Sequence, residues 1–119
     1  MFKSSGDAPD GRAIVEVETC SYRSHVLTLA GTACAYEGNV ILQMTNDQGH
    51  PQILFTQASA SGPERGNWRI QTRVEQVPLD IRVGDEDPSA GRLFPASVVH
   101  LRVHADGTIS EMAPHDKRR

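Results

Sequence analysis

Apolar and polar residues alternate with a period of two along most of the chain, the pattern of strands with one buried and one wet face. Residues 13–19 open it, with Val15 and Val17 on one side and Glu16 and Glu18 on the other. In 26–33, Leu27 and Leu29 alternate with Thr28 and Ala30. Residues 40–45 point Val40, Leu42 and Met44 one way, and 51–59 carry a fourth strand through Ile53, Leu54 and Phe55. In 67–75, Trp68, Ile70 and Val74 turn inward against Arg69, Gln71 and Arg73. Leu79, Ile81 and Val83 define a strand over 79–83, residues 98–104 form the next, and 108–111 a short eighth.

The breaks between these runs are turn chemistry: "NDQG" (46–49), "SASGPERG" (59–66), "GDEDPSAGRLFPAS" (84–97) and "ADG" (105–107). No window carries a helical period. Seven or eight short strands in one small domain predict an all-β, antiparallel sandwich or small barrel. The predicted core includes Leu29, Val40, Leu42, Trp68, Ile70, Ile81, Leu101 and Val103. Residues 1–12, rich in Ser, Gly, Asp and Pro, read as a mobile leader and 112–119 as a mobile tail, leaving 13–111 as the domain.

Composition narrows the picture mainly by exclusion. A chain of 119 residues is one domain that buries roughly 65% of its unfolded surface. Twelve basic against 15 acidic residues give a net charge of −3, too mild to imply a polyanionic partner. With 5% aromatic residues, base-stacking platforms and hence nucleic-acid binding are not expected. No window approaches the ~18 apolar residues that span a bilayer. The start, "MFKSSGDAPDGR", lacks the apolar segment of a secretory signal. That leaves two alternatives, a cytoplasmic chain or one whose export signal has been removed.

Candidate chemistry is sparse. Cys20 and Cys34 are too few for a closed zinc site, and they either bridge or stay free. In "HLRVH" (100–104) the two imidazoles of a strand lie ~13 Å apart, too far for one metal ion. His100 and His104 are therefore expected on a wet sheet face. Asp85 and Asp87 begin like a calcium loop, but Ala90 and Ala96 stand where its glycine and glutamate belong. No G-x-S-x-G, G-x-G-x-x-G or phosphate loop is present. Paired carboxylates of the glycosidase kind stay open, because their pairing is spatial. No cofactor is implied.

One group of motifs points to a family. Gly31 and Ala33 close an apolar strand, and Tyr36-Glu37-Gly38-Asn39-Val40 forms an aromatic-acid corner. Asp47 and Gly49, then Thr56 with Ala58-Ser59, then Gly66 with Trp68 follow in order. Across about two-thirds of the chain, residues 24–104, this resembles the immunoglobulin-like domain of bacterial spore germination proteins, a family found beside GerM-type domains. The resemblance implies an extracellular or envelope-facing, non-enzymatic immunoglobulin-like sandwich. The corner itself has a structural explanation: Gly38 admits a positive φ, Asn39 can bond to its own backbone, and Glu37 has no acid or base near it in sequence.

The resulting expectation is a binding or adhesion module that meets a protein or cell-envelope component through its long loops. Glu64 and Arg65 in one loop, and Arg92, Leu93 and Phe94 in the other, are the candidate contacts. Leu93 and Phe94 serve either as an exposed apolar contact or as a plug over the sandwich edge. The alternative is a small carbohydrate-binding or hydrolytic sandwich, for which Tyr22, Tyr36 and Trp68 are few and scattered.

Overall fold

The structure, a computed structural model, describes residues 2–4, 8–46, 49, 51–87, 92–93 and 98–112. Two antiparallel sheets face each other. One is built from β1 (Phe2–Lys3), β2 (Val15–Arg23), β3 (Val26–Ala33) and β6 (Gly66–Arg73), in the order β1-β2-β3-β6. The other holds β4 (Asn39–Asn46), β5 (Pro51–Gln57), β7 (Leu79–Asp87), β9 (Val99–Val103) and β10 (Ile109–Glu111), in the order β10-β9-β7-β4-β5. A short β8 (Arg92–Leu93) pairs with the end of β7. No helix among the described residues is long and apolar enough to cross a membrane.

The period-two pattern sets the core. Val15, Val17, Leu27, Leu29, Trp68 and Ile70 face inward from the first sheet, and Val40, Leu42, Met44, Ile81, Val83, Val99, Leu101 and Val103 from the second. All eight residues of the predicted core are buried.

β2 departs from simple alternation. Val17 pairs with Gly31 but Thr19 pairs with Ala30, so the bulged strand spends an extra residue there. A bulge switches which alternate residues face inward. Val15 and Val17 face the core before it, whereas Cys20 and Tyr22, opposite Leu29 and Leu27, pack against it afterwards. Without the bulge Thr19 and Ser21 would take the inner positions. The bulge needs Gly31, since a Cβ there would lie 1.8 Å from the Glu16 carbonyl oxygen.

Three expectations change. Part of the segment read as a mobile leader is built into the sandwich. Phe2 and Lys3 pair with Val17 and Glu16, and the Ser4 hydroxyl accepts the Val15 N–H at 3.1 Å. Glu16, expected on a wet face, is buried under Arg12. Finally, the loop expected to begin at Gly84 begins as strand, because Gly84 and Asp85 pair with Ile41 and Val40. Backbone pairing to β4 outweighs the poor strand propensity of the acidic run.

Candidate binding end of the sandwich

Two connections meet at one end of the sandwich, and a third departs from β7 beside them. The first is the β3–β4 corner, a 3₁₀ turn over Tyr36–Gly38. Glu37 and Gly38 both have positive φ, 54° and 73°, so the chain reverses between sheets within three residues. The Gly38 N–H donates to the Ala35 carbonyl at 2.9 Å, and its own carbonyl accepts the Ala58 N–H at 2.7 Å. A side chain at Gly38 would press on the Ala60 carbonyl oxygen at 3.3 Å. The Tyr36 side chain lies outside what the structure describes. Asn39 meets a neighbouring strand, accepting a bond from the Gln57 amide at 3.2 Å.

The second connection, between β5 and β6, lies against this corner. The Gly62 N–H donates to the Ala35 carbonyl at 2.8 Å, and the Cys34 thiol to the Pro63 carbonyl at 3.3 Å. Ser59 closes the loop base, its N–H donating to the Asn67 carbonyl at 2.9 Å and its hydroxyl accepting the Asn67 N–H at 3.0 Å. The loop is thus bonded at its base and middle, while Ser61, Gly62, Pro63 and Glu64 are exposed to solvent. The third connection leaves β7 at Asp87, beside the same corner.

The anticipated contact residues have different fates. Glu64 is exposed at the loop tip. Arg65 is turned inward and only 10% exposed. Its guanidinium donates to both Asp10 carboxylate oxygens at 2.8 and 3.2 Å, to the Thr32 hydroxyl at 3.1 Å and to the Ala13 carbonyl at 2.6 Å. It therefore clamps the N-terminal segment onto the sandwich. Asp10 is held well below its ordinary 3.8, to about 2, first by Arg65 and then by the Arg12 backbone N–H. Close by, the Arg12 guanidinium holds the Glu16 carboxyl low against the opposing pull of burial. Arg92 and Leu93 pair as β8 with Asp87 and Glu86; their side chains, and all of Phe94, lie outside the described residues. The calcium-loop reading also falls mostly there, at Ala90 and Ala96.

The opposite end carries a cleft of about 250 Å³ lined in part by Met44, Asn46, Gln52, Arg73, Glu75 and Leu79. Its charged groups are spent on each other. Arg73 pairs with Glu75 and lowers its pKa, and the His25 ring lies 3.9 Å from the same carboxylate. The Tyr22 hydroxyl donates to the Val74 carbonyl at 2.8 Å. The groups therefore hold the strand ends together rather than converging on a vacant point.

His100 and His104 are half-buried rather than exposed. Among the described residues the His100 Nε2 finds no hydrogen-bond partner though it is closed to solvent, and burial, then Arg82 opposite it in the ladder, pushes its pKa down. His104 Nε2 lies 2.7 Å from the Ser110 hydroxyl. Among the described residues no three His, Cys, Asp or Glu side chains cluster at metal-binding distance. Both cysteines are free. Cys20 sits midway along β2 opposite Leu29, whereas Cys34 lies beyond the far end of that ladder. Burial pushes the Cys20 thiol up to about 11, so it is a poor nucleophile at neutral pH.

The inward turn of Arg65 was not readable from its loop, because its partner Asp10 lies 55 residues away. No family model, curated protein or solved structure matches the chain.

Proposed function

We propose that this chain is a non-catalytic, immunoglobulin-like binding module of an envelope-associated bacterial protein connected with sporulation or germination. It contacts a protein or cell-wall partner through the end loops around Tyr36–Gly38 and residues 58–65. The observation that carries this reading is the convergence of braced connections at that end, with exposed Glu37, Ser61, Pro63 and Glu64. Loops already fixed in place lose little entropy on docking, so a modest contact area suffices. Function on loops held by a rigid sandwich is also the common arrangement.

Strand order supports the immunoglobulin-like part. β2-β3-β6 facing β9-β7-β4-β5 corresponds to A-B-E facing G-F-C-C′ in the lettering of that fold. On that lettering the corner is the B–C loop and the β7–β9 connection the F–G loop, which share an end. β3 and β7 contain no cysteine, so the inter-sheet disulfide of antibody domains has no counterpart. The bacterial and envelope assignments rest on the sequence resemblance alone.

Capture from a bacterial envelope extract tests the proposal. Wild type is compared with a variant carrying Glu37→Ser, Ser61→Lys and Glu64→Ser. Partners retained by wild type and lost by the variant support it; equal capture by both rejects it. Turnover of a glycan or peptide substrate that Glu37→Gln abolishes would overturn the non-catalytic part.

A further inference from the structure

Each sheet has two open sides, and they are unequally protected. β1 has two residues and β10 three, too short to template a partner strand. β6 is eight residues long but presents exposed Arg69 and Arg73. Short strands and charged side chains are ordinary defences of a sheet edge. β5 is different: "PQILFTQ" is seven residues without a charge. It pairs only with β4, and among the described residues no backbone bond from outside that ladder reaches positions 51–57. Among the described residues, its sole side-chain tie across the sandwich is the Thr56 hydroxyl, 3.3 Å from the Arg69 carbonyl it donates to.

Among the described residues, the same strand carries the two large apolar side chains left in solvent, Ile53 at 52% and Phe55 at 67% exposure. Phe55 lies opposite Ile41 and Ile53 opposite Gln43, so both stand on the outer face of the sheet. Only Pro51, at the first position of the strand, resembles a guard.

We propose that β5 is a self-association edge, pairing antiparallel with β5 of a second copy. The strand is complementary to itself. A two-fold axis through Leu54 sets Ile53 against the second copy's Phe55, and Phe55 against its Ile53. Branched–aromatic pairs of this kind stabilise cross-strand contacts. Gln52 then faces Thr56, and Pro51 faces Gln57. No like charges meet, as they would if β6 paired with itself through Arg69 and Arg73. Such a contact is isologous and closes at two copies, joining two five-stranded sheet paths into one. It is also small, below the roughly 1,200 Å² of a standard interface, so the dimer is reversible and dissociates on dilution. The contact is lateral and leaves the end loops free, so it does not depend on the proposed binding role.

Sedimentation equilibrium from micromolar to millimolar protein tests the idea. Wild type is expected to pass from monomer to dimer across that range. Phe55→Lys is expected to raise the dissociation constant roughly tenfold or more. Because Phe55 is largely exposed, that variant should keep the wild-type circular dichroism and melting temperature in dilute solution. Ser110→Lys, on the far edge of the same sheet, should dimerise as wild type does. Slower amide exchange in β5 at high concentration would locate the contact. A wild type that stays monomeric throughout, or a Phe55→Lys dimer of unchanged strength, overturns the proposal. So does β5 protection that arises only when an envelope extract is added, which would assign the edge to another protein's strand.

Discussion

Arg65 ties the β5–β6 loop to the N-terminal segment. Its planar fork reaches Asp10, Thr32 and the Ala13 carbonyl together, a geometry that lysine does not reproduce. Arg65→Ala is expected to lower stability by roughly 2 kcal/mol, the scale of charge-assisted hydrogen bonds. Amide exchange at Ala8 and Gly11 should accelerate first, and Arg65→Lys should lose less. Asp10 supplies the pH dependence of the clamp. Its folded pKa, about 2, lies below its ordinary 3.8, so its contribution is complete above the higher value and disappears as pH falls toward the lower one. The melting difference between wild type and Asp10→Asn should therefore be constant near neutrality and vanish near pH 2. A difference that persists undiminished in acid would show that the carboxylate charge is irrelevant. Trp68, 3% exposed in the core, was legible from alternation alone. Trp68→Ala should cost roughly 3–5 kcal/mol in denaturant unfolding.

At the scale of elements, legibility followed local chemistry. β4 ends at a recognisable break, and the inward sets of β3 and β4 follow directly from period two. β2 runs on to Arg23, past its expected end, because two features mask it. The bulge exchanges inner for outer positions after Val17, so Thr19 and Ser21 interrupt the apparent alternation. The turn that follows uses Ser24 and His25, with φ of 51° and 66°, where asparagine and glycine would have signalled a tight hairpin. β7 runs past its expected end at Val83 for a similar reason, since Gly84-Asp85-Glu86-Asp87 has loop composition but sheet partners. The bulge makes a sharp prediction. Gly31→Ala would drive a methyl group into the Glu16 carbonyl, where no flexible side chain can yield. A loss of roughly 3 kcal/mol or more is expected in urea unfolding, and an unchanged midpoint would contradict the bulge geometry.

Across the whole molecule, the sandwich brings together loops that lie far apart in sequence. Residues near 37 and 64 come to one end only because β3–β4 and β5–β6 return there from different sheets. Pairing of that kind is spatial and cannot be read from spacing. The loop end, with Glu37 and Glu64 exposed, stands opposite a cleft whose charges pair with one another, and this contrast is what favours the loop end as the proposed contact. Photo-crosslinking separates the two ends most directly. Benzoylphenylalanine is placed at Glu64 in one variant and at Gln76 in another, and each is irradiated in a bacterial envelope extract. The account predicts a discrete partner adduct from position 64 and none from position 76. Adducts from position 76 alone would contradict it and move the binding surface to the other end of the sandwich.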